Sequence, residues 1–203
     1  ALGQSLVVLA RAEGRVPTEV EIVVEATREA VAALRGGRVD LALVTGTSGG
    51  DLVSVDLFED ELLLIVAPSH RLARRRFVRP ADLLEERLLL YGTAAENHFY
   101  QSFLARAGVT PREVSSVQLT EAIVSMVSAG LGVSPLAGWA VEREIRRGGV
   151  VGVPIGERGL HRTWRAATRH DARRPPYLDD FVALIAEFAA PTKIERRRLE
   201  RRR

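Results

Sequence analysis

VEIVVEATREAVAALRGGRVDLALVT (Val20–Thr45) is the stretch whose reading decides the fold. Val20–Val24 is a run rich in β-branched side chains, which suits a strand. It leads through Glu25 and Ala26 to Thr27, where a hydroxyl with Glu25 and Glu29 nearby suits a helix start. Ala30, Val31 and Leu34 mark one apolar face before Gly36–Gly37 stops the helix. Val39–Thr45 is a second buried-looking strand. A strand, a helix and a strand in so short a length predict a parallel pair joined by a crossover helix.

The same alternation runs outward from this unit. Leu52–Phe58 and Glu61–Ala67 read as two strands separated by a charged turn, Glu59–Asp60. Arg79–Leu84 reads as a short helix with Pro80 in its first turn. Arg87–Tyr91 is a strand, and Glu96–Ala107 a helix closed by Gly108. Glu113–Gln118 is a strand, and Thr120–Ala129 a helix closed by Gly130. Val133–Leu136, Val150–Pro154 and His161–Arg169 are further strands, with a helix at Trp139–Arg147 closed by Gly148–Gly149. Leu178–Phe188 is a final amphipathic helix with Phe181, Leu184, Ile185 and Phe188 inward. The pattern predicts an α/β protein with mainly parallel sheets. Its break near Ala67–Arg79 predicts two small lobes rather than one large sheet.

The chain has 203 residues, 46% hydrophobic and 27% charged, which is enough apolar material for a sizeable core. No apolar run approaches a membrane span, and no cleavable signal pattern is read at its opening, so a cytoplasmic location is expected. With no cysteine, disulfide scaffolds, thiolate metal sites and cysteine nucleophiles are excluded. The net charge of +3 misleads as an average. From Pro191 onward the tail takes seven of the 29 basic and two of the 26 acidic residues, which leaves residues 1–190 at −2. The run Arg196–Arg203 could touch phosphates, but residues 191–203 read as a solvated, frayed end. The body of the chain carries no basic surplus that would predict DNA binding.

Enzyme motifs fail on context. Gly46-Thr47-Ser48-Gly49-Gly50 matches G-x-S-x-G, yet a nucleophile elbow needs a helix directly after the serine and here a strand follows. His70, His98, His161 and His170 show no metal-ligand spacing, and no zinc or other metal site is expected. Gly130-Leu131-Gly132-Val133 lacks the third glycine of a dinucleotide fingerprint, so no cofactor is expected. Glu59, Asp60 and Glu61 are read as solvated carboxylates at a turn. What remains is a set of polar groups at strand ends and helix starts. These are Thr27, Thr45 with Gly46, Tyr91 with Gly92 and Thr93, and Gln118 with Thr120 and Glu121. Thr27 and Thr120 taken singly fit helix N-caps. Their convergence at the carboxyl ends of strands favours a small-molecule site, because helix N-termini there offer free N–H groups.

Leu41–Val44 followed by Asp56–Ala73 (DLFEDELLLIVAPSHRLA) resembles the effector-sensing domain of LysR-type transcriptional regulators. Arg79–Leu83 resembles that family's short helix, and Val124–Leu136 (VSMVSAGLGVSPL) its glycine-rich stretch. The likeness spans roughly residues 15–190. Within the family it is strongest to regulators of methionine biosynthesis genes, on Phe103–Pro111, Ser116-Val117, Ile123–Ala129, Gly138–Glu142 and Gly159-Leu160.

The resemblance implies two Rossmann-like lobes of the type 2 periplasmic-binding-protein kind. Residues 1–65 with 165–190 would form the first and 66–164 the second. It implies a non-enzymatic sensor, homodimeric or tetrameric, whose effector lies between the lobes and biases their orientation. Carried over by position, the effector contacts are Thr27, Thr45, Tyr91, Gly92, Gln118 and Thr120, and the subfamily implies homocysteine. Glu121 is added on charge logic, as an acceptor for the ligand's amine. Two departures from the family pattern stand out. The family's helix-turn-helix and linker helix are not read in this sequence, so DNA binding is expected only through such a domain and not through these residues. The domain's first strand is also not recognisable, and Ala1–Arg15 reads as the helix that should follow it. A free periplasmic-type solute-binding module is the alternative.

Overall fold

The computed structural model describes residues 6–11, 19–23, 29–45, 50–95, 97–170 and 177–189. The chain divides into two compact units. One covers Asp60–Arg162, and the other draws on the described residues up to Glu59 and from Thr163 onward.

In the second of these units the strand order is β2 (Glu19–Ile22), β1 (Leu6–Arg11), β3 (Leu41–Val44) and β9 (Leu160–Arg169). The opening helix expected within Ala1–Arg15 is therefore replaced by a strand over Leu6–Arg11. Its apolar run, LVVLAR, is too short for a stable amphipathic helix and carries two adjacent valines, which favour extended backbone. β1 pairs antiparallel with β2 (Val8 opposite Ile22) and with β3 (Val7 opposite Ala42). β2 and β3 consequently run in the same direction, as their crossover requires, but β1 takes the hydrogen bonds that would have joined them.

β3 pairs antiparallel with β9, Leu43 opposite Ala166. Helix α1 (Ala30–Arg35) buries Ala30, Ala33 and Leu34. The helix Tyr177–Ala189 brings Leu178 and Val182 into a cluster with Leu41 and Ala166, flanked by Phe181 and Ile185. Leu184, expected inward, is 46% exposed. The inward stripe follows 178, 181, 182 and 185, so it lies one position away from the face that the Phe and Leu residues suggest. Phe188's side chain lies outside the described residues.

The unit over Asp60–Arg162 is built on the second half of β4 (Leu52–Val66), where the strand becomes buried, and on β5 (Arg87–Tyr91). Leu64 and Val66 join Leu88, Leu90 and Phe99 in one core cluster, whereas Ile65 and Leu89 join Ile123, Val127 and Val141 in another. The unbroken apolar runs LLLIV and LLL arise because successive side chains point to opposite faces and both faces are covered. β4 pairs antiparallel with β7 (Ser134–Ala137) and β8 (Val151–Pro154). β5 pairs parallel with β6 (Glu113–Val117).

The expectation of mainly parallel sheets is thus corrected. Among the described residues the β1–β2, β1–β3, β3–β9, β4–β7 and β4–β8 ladders are antiparallel and the β5–β6 ladder is parallel, so the sheets are mixed. Gly132, in the glycine-rich stretch, explains one local requirement. A Cβ there would stand 2.7 Å from the Arg87 carbonyl oxygen, on the backbone that pairs with Val133.

A second correction concerns β4. It is one strand of 15 residues, not two strands and a turn. Asp60 is not solvated but 5% exposed. Its Oδ2 accepts from Arg162 Nε at 2.9 Å and Nη2 at 2.8 Å. A charge pair formed across neighbouring strands removes the reason for the chain to turn out to water.

Two buried hydroxyls, on Ser134 and Thr168, find no hydrogen-bond partner among the described residues. An unmet buried hydroxyl costs about 1–3 kcal/mol. Thr168→Val keeps the shape and removes the hydroxyl, so it is expected to raise stability by about 1 kcal/mol in urea unfolding. A fall would show that the hydroxyl is bonded in solution.

Candidate functional site

The parallel β5–β6 pair positions most of the candidate residues. Its register sets Tyr91 opposite Val117, so both strands end at the same edge. Tyr91 and Gly92 leave one strand there, and Gln118, Thr120 and Glu121 follow the other. Carboxyl ends of parallel strands are where open α/β sheets receive ligands.

Gly92 has φ +79 and open space around its Cα, so its left-handed backbone is what turns the chain out of β5. Asn97, 9% exposed, then fixes the next helical segment. Its Oδ1 accepts from the Tyr100 N–H at 3.1 Å while its Nδ2 donates to the Tyr91 carbonyl at 3.4 Å. The segment continues through a π-helical stretch, Tyr100–Leu104, and ends at Gly108 with φ +66. Asn97 therefore ties a helix start to the end of β5, a role that its position before HFY signals in sequence.

Helix α2 (Thr120–Ser128) follows β6. Its N-cap is Leu119, which has no side-chain cap bond, and Thr120 is the first helical residue. The expected capping role of Thr120 is corrected accordingly. Its half-buried hydroxyl has no partner among the described residues, and the N–H groups of the first turn lack a side-chain cap. Gln118 and Glu121 are exposed, and the Glu121 carbonyl accepts from Ser125 Oγ at 2.9 Å. Thr45 is half-buried just beyond β3, in the other unit. Thr27, and Ser48 with the rest of Gly46–Gly49, lie outside the described residues, as does the basic tail.

Three further residues carry chemistry that sequence reading missed. Arg162 and Asp60 form the buried ion pair, with side chains 5% and 2% exposed. They are 102 residues apart, and no local pattern announces such a pair. His98, next to Asn97, is half-buried. Burial holds its imidazole below the ordinary value of 6.5, and the positive charge of Arg162 adds to the effect.

A histidine with a lowered folded value binds fewer protons when folded than when unfolded. Its share of stability is complete above pH 6.5 and is lost as pH falls from there through the folded value. His98→Gln is therefore expected to flatten the acid side of the stability profile. Urea midpoints of both proteins from neutral to mildly acidic pH test this. Parallel profiles would refute it.

His70 does turn duty. Its Nδ1 accepts from the Leu72 N–H at 3.2 Å, so Nε2 carries the hydrogen toward Glu86 at 3.1 Å. Among the described residues no group of His, Asp and Glu is arranged to hold a metal ion. Nor is any helix there long and apolar enough to cross a membrane.

Comparison with known proteins identifies the class. The family model for the LysR substrate binding domain matches residues 9–190. The chain belongs to the LysR family of transcriptional regulators, through its substrate-binding domain. It is 34% identical over 152 residues to the HTH-type transcriptional regulator MetR of Escherichia coli (strain K12), covering 74% of this chain and 47% of that protein. The regulatory domain of MetR, a LysR family regulator from N. meningitidis, superposes with a TM-score of 0.71 at 28% identity, over 77% of this chain and 73% of that one. The reduced form of OxyR shares the fold, with a TM-score of 0.63 at 24% identity over 82% and 79%. The chain spans about half the length of the curated relatives it matches. Those relatives are transcriptional regulators, not enzymes.

Proposed function

We propose that this chain senses a small amino-acid effector, homocysteine in the first place, on behalf of a cytoplasmic transcription regulator that acts as a homodimer or tetramer. Its lobes are taken as 1–65 with 165–190 and 66–164. DNA is reached through a separate helix-turn-helix domain, and the effector contacts are Thr27, Thr45, Tyr91, Gly92, Gln118, Thr120 and Glu121. The observation that carries the reading is the 34% identity with MetR over 152 residues. The edge where β5 and β6 end supports it. It offers uncapped helix N–H groups for a carboxylate, hydroxyls, and the Glu121 carboxylate for an amine. A free solute-binding module is not favoured, since the relatives are regulators.

A thermal-shift titration against homocysteine, methionine, cysteine and homoserine tests it. A ligand at ~100 times its dissociation constant adds ~2.7 kcal/mol, a rise of several degrees for a chain this size. A rise with homocysteine alone is expected. No rise with any of the four would overturn the effector assignment. Light scattering at micromolar concentration tests assembly, and a monomer would count against the dimer.

A further inference from the structure

We propose that the exposed arginine segment Arg71–Arg79 is an auxiliary, sequence-independent contact for the phosphate backbone of duplex DNA. The inference rests on the reading of the chain as part of a transcription regulator. Arg71, Arg74, Arg75, Arg76 and Arg79 are all exposed, and no acidic residue interrupts them. The −2 charge of residues 1–190 does not oppose a local contact, because charges beyond a Debye length of ~8–10 Å are screened.

The segment is held in shape. A 3-10 turn over Arg71–Arg74 is fixed by the His70 contact to Leu72 N–H, and Arg71 is tied to Glu86 at 2.6 Å and to the Asp82 carbonyl at 2.7 Å. Farther on, the Val78 N–H donates to Pro154 and its carbonyl accepts from Gly156, each at 2.9 Å. Arg75 lies 3.7 Å from Asp82, and the Arg79 guanidinium sits 5.4 Å above the Phe77 ring. The Arg74 and Arg76 side chains make no ion pair or hydrogen bond among the described residues. Glu85 is the exposed acid close by in sequence.

Leu72 and Val78 are buried, and Ala73 and Phe77 are partly so, which leaves only guanidiniums fully outward. A protein-docking surface would present an apolar centre. Arginine forks on a fixed backbone fit phosphate, which they engage bidentately at little ordering cost.

The test uses the full chain and a labelled duplex of arbitrary sequence, followed by fluorescence anisotropy over a salt series. Arg74→Gln with Arg76→Gln is expected to weaken low-salt binding and to flatten the slope of log K against log salt by about 1.8, at ~0.9 for each phosphate that is no longer neutralised. A separate variant with Arg196, Arg197 and Arg198 changed to Gln measures the tail's share. An unchanged slope in the Arg74/Arg76 variant, or no DNA binding at low salt, would overturn the proposal. A labelled polyglutamate peptide is the second probe. Binding to it as tight as to DNA, and abolished in the same variant, would assign the segment to an acidic protein surface instead. The homocysteine-induced shift is read on the same variants. A flattened DNA slope with that shift intact concerns the segment alone, and an absent shift with DNA binding intact concerns the effector reading alone.

Discussion

Asp60→Ala is expected to destabilise the protein by about 3–5 kcal/mol, because it takes from the buried Arg162 guanidinium the carboxylate to which its Nε and Nη2 donate. The two side chains are 2% and 5% exposed, and Asp60 Oδ2 accepts from both Nε and Nη2 of Arg162. The cost is that of a buried charge deprived of its carboxylate, not the net worth of the pair. Replacing both partners, with Asp60→Leu and Arg162→Met, is therefore expected to recover more than half of the loss. Urea unfolding of the two variants beside the parent checks this. An Asp60→Ala loss below about 1 kcal/mol would mean that water reaches the pair in solution, since exposed pairs are worth no more than that.

Phe99→Ala is the second large effect, about 3–5 kcal/mol. Phe99 is 1% exposed, joins the cluster of Leu64, Leu88 and Leu90, and stacks on Phe103 with ring centroids 5.4 Å apart. Truncation opens a cavity that rigid strand neighbours fill only in part. Phe99→Leu, which keeps most of the volume, is expected to cost less than half as much. Phe99 also anchors the helical segment that Asn97 caps against the end of β5. Under the proposed function, the homocysteine response of Phe99→Leu should weaken by more than its stability loss predicts. An unchanged response would remove this helix start from the effector site.

Much of the architecture was legible because local physics dominates it. Arg87–Tyr91 is a strand with the bounds read from sequence, since RLLLY is apolar throughout its centre and is covered on both faces. The helices at 120–128 and 138–146 end where glycines adopt left-handed backbone, at Gly130 and Gly148. The polar residues after β5 and β6 were legible as a group for the same reason: strand ends and helix starts are local signals.

Other features were not legible, because they depend on partners far away in the chain. Asp60 looks like a turn residue between Glu59 and Glu61 until Arg162, 102 residues later, neutralises it and lets β4 run straight through. The strand–helix–strand unit specifies two strands running the same way, but it cannot say that β1 will lie between them and make the ladders antiparallel. Thr120 has the composition of a cap, yet the helix begins one residue earlier than a cap there would allow.

By itself, the sequence determined the alternation of strands and helices, the glycine stops, the doubly covered strands and the family. Each of these is written in short-range periodicity or in contiguous motifs. Only the tertiary structure decided strand adjacency, the burial of Asp60 with Arg162, and the environment that lowers the proton affinity of His98. Hydrogen-bond ladders and desolvation are set by which surfaces meet, and that is a property of the folded chain rather than of any segment in it.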